Sequence, residues 1–348
     1  MSEDRWLFLD RGIGETRGLI VHDGRPERLV IQRDGDDPVL TEGARSIARV
    51  RKIEKVMSTA FLELPGGAEA ILALKSDMPP LVQGGSVEIE IKSEPRNGKL
   101  AVARFIEVAQ GAPRLTAEPG DLAEQLMLWA GTEEVFEGPD ARAAIDEAEE
   151  EVLLTIHALP GGGTISIEPT RALIAVDVDL GDRGGQDSKK VTRQANMTAL
   201  TVGARLMRLK GLGGLVVYDL VGRGHDGHAL LGVARKAFAP DNPGVAIGAI
   251  SRFGTMEMTI PRRRRSVLEI LRGPDGRLTN QTLALRLVRM IEREGASSPG
   301  GQLRAFCSPA VAKAVEAYLP ALRDKLGARF EVQASDRGGA EHLEVISK

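Results

Sequence analysis

The stretch RALIAVDVDLGDRGG, residues 171–185, begins as an apolar run and ends in acidic residues. The apolar part is typical of a buried strand, in which successive side chains point to opposite faces. Asp177 and Asp179 would therefore lie on one face near the end of the strand, with Asp182 in the loop that follows. The position of these acids raises the question of what they bind.

GGLVVYDLV, residues 213–221, is a second apolar run, and it carries Asp219 at the matching place. Residues 189–211, between the two runs, have apolar side chains at helical spacing and end in glycine, so we predict a strand–helix–strand unit. Open α/β sheets place their sites outside the carboxyl ends of strands. Asp177 and Asp219 are therefore expected to converge there.

Carboxylates that converge need a neutralising partner, because like charges held close raise one another's pKa. Oxygen ligands without thiolate or imidazole suit Mg²⁺ or Mn²⁺, which polarise a phosphoryl oxygen and lower the pKa of an attacking water. The residues thus favour metal-assisted hydrolysis of a phosphodiester. On spacing alone, the acids could also be polar caps at the ends of strands. The apolar strand before Asp219 weakens that alternative, since an acid in such surroundings needs a partner or a metal.

The composition limits the class of protein. A chain of 348 residues can form two or three domains, each with its own core. The single cysteine, Cys307, excludes an internal disulfide framework and a thiolate-rich zinc site within one chain. The first residues, MSEDRWLFLD, carry acids where a signal peptide needs positive charge, and no apolar run approaches about 18 residues. We therefore expect a soluble, cytoplasmic protein with no membrane partner.

Charge is unevenly distributed along the chain, although the formal net charge is only −3. Residues 115–151 contain twelve acids and one arginine, whereas residues 189–218 contain six basic residues and no acid. The run Arg262 to Arg265 is a second basic segment. Such segments are either solvated faces or surfaces that face phosphate, and their charge alone does not decide between the two.

Residues 41–108 contain five short alternating segments separated by Gly and Pro turns, which predicts a small closed β-barrel. The barrel class most often found at this size is the OB-fold, which binds single-stranded nucleic acid on one face. Aromatic side chains for stacking on bases are few here, namely Phe61 and Phe105. Basic residues are more numerous: Lys52, Lys55, Lys92, Arg96, Lys99 and Arg104. Binding through charge would tolerate many sequences and would be sensitive to salt.

Two further motifs are weaker candidates for chemistry. HDGH, residues 225–228, would need a third strong ligand to form a transition-metal site, and none lies nearby in the sequence, so we predict a polar loop. Cys307 has no neighbouring histidine, which favours a small buried residue over a nucleophile.

Three stretches occur in the order and spacing of the ribonuclease E/G family: GGTISIEPTRALIAVDVD (162–179), RLKGLGGLVVYDLV (208–221) and AIGAISRFGTMEMT (246–259). The chain resembles this family strongly over residues 162–258 and more weakly elsewhere. The resemblance implies an α/β and β multidomain fold. An OB-fold barrel would be inserted in a split RNase H-like subdomain, and a DNase I-like α/β catalytic domain and a small α+β C-terminal domain would follow.

The domain boundaries that this resemblance implies follow the chain. Residues 1–38 would form the first part of the RNase H-like subdomain, and residues 39–110 the RNA-binding barrel. Residues 111–160 would supply an acidic helical segment and the remainder of that subdomain. Residues 161–265 would be the catalytic domain, and residues 266–348 the small C-terminal domain.

The resemblance also implies roles for individual residues. Asp177 and Asp219 would hold the catalytic Mg²⁺, for which Mn²⁺ could substitute, and Arg252 would lie near the scissile phosphate. Asp179 stands where the family usually has asparagine. As a third carboxylate among the catalytic residues, it would either tighten metal binding or leave the metal less electrophilic. The implied RNA-binding residues are Phe61, Lys99, Arg193 and Asn196.

Two features of the family are missing from the sequence. The family carries a C-P-x-C zinc link between subunits, where this chain reads LEILRGPDGRLTN, residues 268–280. No zinc link is therefore expected, and any oligomer would form without one. The family also has a longer sensor domain for an RNA 5′-monophosphate, where this chain has a short and mostly acidic segment. Because acids repel RNA, preference for monophosphorylated ends should be weak or lost.

These observations predict a Mg²⁺-dependent endoribonuclease that cuts single-stranded, AU-rich RNA by attack of water on the phosphodiester, in RNA processing or decay. An alternative is a non-catalytic RNA-binding paralogue of the same family. A third possibility is a metal phosphoesterase with a small substrate. It fits the barrel and the basic segments less well, because these suit a polymer.

Overall fold

The computed structural model describes residues 4–96, 98–181, 188–335 and 338–348. Asp182, predicted in the loop after the strand, lies outside the described residues. The chain forms two compact units, each assembled from separate segments. The first unit contains residues 1–35, 126–151 and 267–348, and the second unit contains residues 36–125 and 152–266.

The strands and helices are numbered in chain order. The strands are β1 Arg5–Arg11, β2 Glu15–His22, β3 Arg25–Arg33, β4 Arg45–Glu54, β5 Thr59–Glu63, β6 Glu69–Ala73, β7 Ser86–Ser93, β8 Ala101–Ala109, β9 Arg114–Ala117, β10 Val135–Phe136, β11 Ile156–Ala158, β12 Thr164–Pro169, β13 Ile174–Asp179, β14 Gly214–Asp219, β15 Ala246–Ile250, β16 Thr255–Ile260, β17 Leu303–Cys307, β18 Phe330–Ala334 and β19 Leu343–Ser347. The helices are α1 Leu122–Ala130, α2 Pro139–Leu153, α3 Ser188–Lys210, α4 Gly227–Ala237, α5 Val267–Leu271, α6 Asn280–Ser297, α7 Pro309–Val315 and α8 Leu319–Leu326. None of these described helices is both long and apolar enough to cross a membrane.

The second unit contains a closed barrel of five strands, β4 to β8. The strand order is β5-β6-β8-β7-β4, and pairing of β4 with β5 closes the sheet. β6 and β8 are parallel, whereas the other neighbours are antiparallel, as in an OB-like barrel. Alternating residues such as Val50, Leu62, Leu72 and Ile89 fill the interior. The barrel predicted from the sequence is confirmed.

The second unit also contains a mixed sheet in the order β11-β12-β13-β14-β16-β15. β13 and β14 are parallel, and α3 connects them, which confirms the predicted strand–helix–strand unit. Ile165, Val176, Val216 and Met256 are buried on one face of this sheet, and α3 contacts β12 and β13. The residues that alternate with them form the opposite, more exposed face.

The first unit contains two smaller sheets. β1, β2 and β3 are antiparallel, and β10 joins them through parallel pairing with β1. β17 lies between β18 and β19 in the second sheet, and α6 packs Leu287, Val288 and Ile291 into the same core. The sequence pattern missed β10 because a strand of two residues has no periodicity to detect.

A network of buried ion pairs joins segments of the first unit that are distant in sequence. The side chain of Arg17 is 0 % exposed and lies 2.6 Å from Asp10, 2.8 Å from Asp146 and 3.0 Å from Glu149. Arg289 also lies 3.4 Å from Glu149. Asp146 and Glu149 belong to the acidic segment of the sequence. Part of the charge of that segment is therefore neutralised within the unit.

Two arginines of the run at residues 262–265 also form ion pairs with acidic side chains. Nε of Arg264 lies 3.0 Å from a carboxylate oxygen of Glu42, and Nη2 of Arg265 lies 2.7 Å from Asp36. These pairs connect the chain after β16 with the segment that leads into the barrel, inside one unit. Of the two interpretations of this run, the structure therefore supports an internal role for Arg264 and Arg265 over a surface that faces phosphate.

Candidate active site at the ends of two parallel strands

The two candidate metal ligands lie opposite each other on neighbouring strands. β13 and β14 are parallel, and Asp177 pairs directly with Asp219. Because neighbouring strands are about 4.8 Å apart, the two side chains start from adjacent positions. Ser166 of β12 and Thr255 of β16 continue the row on either side. The sheet therefore presents a row of Ser, Asp, Asp and Thr across four strands.

Both aspartates belong to the exposed face of the sheet. Asp177 is exposed between the buried residues Val176 and Val178, and Asp219 is exposed after the buried Tyr218. Among the described residues, neither carboxylate has a hydrogen-bond or ion-pair partner. Two adjacent acids without a described counter-charge attract a cation, because the cation removes their mutual repulsion.

Asp179 contacts the loop that follows β13. Its Oδ1 accepts a hydrogen bond of 2.9 Å from the backbone N–H of Gly181, and its position in the sheet is opposite Thr164. Asp179 thus lies two residues further along β13 than Asp177, and its hydrogen bond stabilises the turn that follows the strand. A Cβ at Gly163, where φ is +79°, would overlap the backbone oxygen of Asp179, so glycine is required at this close approach.

Asn196 lies on α3 and is fully buried. Its Nδ2 donates a hydrogen bond of 3.0 Å to the carbonyl of Val221, and its Oδ1 accepts one of 3.1 Å from the N–H of the same residue. The sequence predicted an RNA contact for Asn196. The structure differs, because a fully buried side chain cannot reach RNA. Asn196 instead fixes the chain two residues after Asp219.

Arg252 lies on the turn between β15 and β16, next to the aspartate row. Ser251 Oγ contacts Thr255 Oγ1 at 2.8 Å, and the N–H of Phe253 donates to Ser251 Oγ at 3.2 Å. The guanidinium carbon of Arg252 lies 4.7 Å from the centroid of the Phe253 ring. Since Thr255 is opposite Asp219, this turn places Arg252 at the same end of the sheet as the two aspartates.

The HDGH motif lies where the loop after β14 meets α4. Asp226 caps α4 by accepting a hydrogen bond of 3.1 Å from the N–H of Ala229, and Arg193 of α3 lies 3.0 Å from the same carboxylate. Both members of this ion pair are about half exposed. The polar loop predicted for the motif is correct for His225 and Asp226, whereas α4 begins with the two residues that follow. Arg193 is accessible at the rim of this loop.

The barrel places Phe61 on its outer surface. Phe61 of β5 pairs with Lys52 of β4 and Ile71 of β6, and Ile71 pairs with Val102 of β8. These four residues form a partly apolar row across strands β4, β5, β6 and β8. Lys99 is exposed in the turn before β8. The two predicted RNA contacts of the barrel are thus accessible side chains.

Among the described residues, no group of three or more His, Cys, Asp or Glu side chains is arranged to hold a metal ion. Two carboxylates still fit Mg²⁺, because Mg²⁺ sites commonly use one or two carboxylates and leave the other positions to water and substrate phosphates. Asp177 and Asp219 are the residues that would hold the ion. Their oxygen donors fit zinc less well, because zinc sites in proteins usually contain Cys or His.

Two residues on the loops after β14 and β15 were not predicted as site residues, although the HDGH motif containing one of them was considered as a possible metal site. Phe253 and His225 lie on neighbouring loops, and Nε2 of His225 would be 3.4 Å from a Cβ at Gly254. Phe253 could have been noticed in the sequence because it follows Arg252 directly and because only 3 % of the residues are aromatic. The position of His225 depends on how two loops pack, and no local sequence pattern encodes that packing.

The fold and the site define a mixed α/β protein that combines an OB-like barrel with paired carboxylates at the ends of parallel strands. Residues 109–265 match the family model described as the Ribonuclease E/G family. Over these residues the chain is similar to the ribonuclease E/G family, as the sequence motifs indicated. The matched residues include Asp177, Asp219 and Arg252.

Individual relatives agree with the family model. Ribonuclease E of Escherichia coli strain K12 is 31 % identical over 206 residues, which are 56 % of this chain and 18 % of that protein. Ribonuclease E of Buchnera aphidicola from Acyrthosiphon pisum is 28 % identical over 229 residues, 63 % of this chain and 24 % of that protein. Ribonuclease G of Salmonella typhimurium strain SL1344 is 25 % identical over 240 residues, 65 % of this chain and 48 % of that protein. The chain thus spans less than half the length of each of these relatives.

Proposed function

We propose that this chain is a Mg²⁺-dependent endoribonuclease that cuts single-stranded RNA in RNA processing or decay. The observation that carries the proposal is the direct pairing of Asp177 with Asp219 at the exposed ends of two parallel strands. The names of the relatives, Ribonuclease E and Ribonuclease G, support RNA as the substrate. The OB-like barrel in the same unit supports a single-stranded polymer.

Each residue of the site has a defined task in this proposal. Asp177 and Asp219 bind Mg²⁺, which when bound acts as a Lewis acid and lowers the pKa of the attacking water. The guanidinium of Arg252 stabilises negative charge on the phosphate that is cut. Asn196 holds Val221, and through it the chain after Asp219, in a fixed position.

The barrel supplies the remaining RNA contacts in this proposal. Phe61 offers an aromatic face for stacking, and the exposed Lys99 offers a positive charge for a phosphate. We extend the proposal to AU-rich RNA, as the family resemblance implies. The expected weak preference for 5′-monophosphorylated ends remains a prediction. It is supported by the acids of that segment that remain exposed, such as Glu133 and Glu134, because Asp146 and Glu149 are neutralised by Arg17.

We also propose that the barrel is inserted in a split RNase H-like subdomain and that the sheet with the two aspartates is DNase I-like. The insertion is supported by the division of the chain. Residues 1–35 and 126–151 lie in one compact unit, although the barrel lies between them in sequence.

A second candidate function is RNA binding without cleavage. One observation favours it: Asp179, which stands where the ribonuclease E/G family usually has asparagine, is bonded to the N–H of Gly181 in the exit loop. A protein with this function would retain the barrel surface and the basic side chains of the loops beside the sheet, such as Arg193 and Arg252. It would not hold a metal tightly enough for hydrolysis.

One experiment separates the two functions. The purified chain is incubated with an AU-rich single-stranded RNA and Mg²⁺, alongside Asp177→Asn, Asp219→Asn and the control Asp77→Asn, which removes an exposed acid from a barrel loop. We expect the wild type and the control to cut RNA. Both site variants should cut at less than about a hundredth of the wild-type rate, because each removes a proposed metal ligand.

Binding of the same RNA is measured in EDTA, where no cleavage can occur. Tight binding by the wild type together with no Mg²⁺-dependent cutting would establish the RNA-binding alternative. Equal cutting by the wild type and both site variants would show that the aspartate pair is not the metal site.

A further inference from the structure

A cavity of about 850 Å³ opens beside the aspartate row. It is lined by the loop after β14, by the start of α4 and by the turn between β15 and β16. The first of these begins three residues after Asp219, at Gly222, and the last adjoins Thr255, which is opposite Asp219. The N–H of Leu220 donates to the carbonyl of Gly254 at 3.3 Å, which ties the two loops together. The loops that line the cavity therefore extend from β14 and β16, the strands that carry Asp219 and Thr255.

The side chain of Phe253 lines this cavity and is largely exposed. Phe253 is 77 % exposed, more than the other exposed aromatic side chains among the described residues, Trp6 at 48 % and Phe136 at 39 %. The guanidinium of Arg252 covers one face of the ring at 4.7 Å. The other face is available for a planar partner, and nucleic-acid bases stack on such rings irrespective of sequence.

Basic side chains line the same cavity as the ring. Arg223, Arg252, His225 and His228 line the cavity, and none of the described residues that line it is acidic. The nearest acid of the same loop, Asp226, is bonded to the N–H of Ala229 and to Arg193. A ligand in this cavity is therefore expected to be anionic as well as planar.

A nucleotide combines these two properties, since its base is planar and its phosphate is anionic. We propose that the cavity binds one nucleotide of single-stranded RNA next to the aspartate pair, with the base stacked on Phe253 and a phosphate held by Arg223. The inference rests on the proposed RNA substrate. It adds a binding position that neither the barrel surface nor the aspartates provide.

The test measures RNA binding by the full chain in EDTA, so that cleavage does not enter. Fluorescence anisotropy gives the Kd for a labelled, AU-rich RNA of ten nucleotides. Phe253→Ala should bind about tenfold more weakly, whereas Phe253→Trp should stay within about threefold of the wild type because it keeps an aromatic face. In a second set of RNAs, 2-aminopurine replaces one base at a time along the sequence. Its fluorescence should be quenched at one position when the wild type binds, and should not be quenched there by Phe253→Ala.

Arginine variants test the phosphate contact with a matched control. Arg223→Gln should weaken binding about threefold and reduce the salt slope by about one. Arg235→Gln removes the same charge from an exposed position of α4 away from the cavity lining, and should bind within about twofold of the wild type. Unfolding temperatures of all variants confirm that the exposed substitutions leave the fold intact.

The results separate this inference from the proposed function. A wild type that binds RNA while Phe253→Ala binds equally well, or while Phe253→Trp fails as badly as alanine, overturns the nucleotide position and leaves the proposed function standing. A wild type that binds no RNA overturns both.

Discussion

Asn196 shows how one buried side chain controls the geometry of an exposed site. Its amide bonds both backbone groups of Val221, at 3.0 and 3.1 Å, and no part of the residue is exposed. These bonds fix the backbone where β14 ends and so fix the direction in which Asp219 leaves the sheet. Asn196 is therefore a positioning residue that acts through Val221.

At the residue scale, Asn196→Ala should lower the free energy of unfolding by about 1–3 kcal/mol, because the N–H and C=O of Val221 would lose their partners in a partly buried place. Urea unfolding measures the loss. Gln194→Ala on the exposed side of the same helix is the control, and its effect should stay within about 0.5 kcal/mol. Equal effects of the two substitutions would show that the bonds to Val221 do not stabilise the site.

At the scale of the element, the packing of α3 on the sheet depends on a glycine inside the helix. Gly203 faces Tyr218 and Ile165, whose Cδ1 would be 3.1 Å from a Cβ at this position. A Cβ would also overlap the hydroxyl of Tyr218. Burial raises the pKa of Tyr218, so the neutral hydroxyl occupies this space. The absence of a side chain at Gly203 allows α3 to approach β14, the strand that carries Asp219.

Gly203→Ala should therefore destabilise the protein by about 1–3 kcal/mol through overpacking, although alanine is the better helix former. Gly232→Ala in α4 is the matched comparison, because nothing lies within 4 Å of a Cβ there. It should stabilise the protein by up to about 1 kcal/mol. Thermal unfolding of both variants checks the opposite signs. Stabilisation by both would mean that α3 can shift away from the sheet without loss.

At the scale of the whole molecule, charges that are far apart in the sequence meet inside each compact unit. Arg17 contacts Glu149, which is 132 positions away, and Arg264 contacts Glu42, which is 222 positions away. The acidic and basic segments of the sequence are therefore partly internal partners. A buried ion pair needs both members, because removing one leaves the other charged and desolvated.

Arg17→Met should lower the free energy of unfolding by about 3–5 kcal/mol, since it leaves Asp10 and Glu149 without their shared partner. Arg11→Gln breaks an exposed ion pair with Glu137 in the same unit and should cost less than about 1 kcal/mol. Urea unfolding of both variants at neutral pH measures the difference. A cost for Arg17→Met no larger than for the control would contradict a stabilising network.

The same network should make the wild type sensitive to acid. Burial alone would raise the pKa of Asp10 and of Glu149, but the neighbouring arginines lower both pKa values below their usual range. These carboxylates thus stabilise the fold at neutral pH, and the contribution is lost as pH falls below about 4. Burial raises the pKa of Glu15, which offsets part of this loss because its protonated form is favoured in the fold. The urea midpoint of the wild type should therefore fall more steeply on acidification than that of Arg17→Met.

Local sequence patterns predicted several strands and helices and which of their side chains share a face. Alternation in ALIAVDVD predicted a strand with Asp177 and Asp179 on one face, and helical spacing predicted α3. Five short segments predicted the barrel of β4 to β8. These features are local, because periods of two and 3.6 residues decide which side chains share a face.

Which side chains meet depends on the tertiary structure. It placed Asp177 directly opposite Asp219, directed Asn196 to Val221 instead of to RNA, and paired Arg264 with Glu42. It also placed the loop after β14 next to the turn between β15 and β16, which carries the exposed side chain of Phe253. The physical reason is that strand register, loop packing and ion pairing depend on residues tens to hundreds of positions apart. A local pattern of hydrophobicity or charge holds no record of those partners.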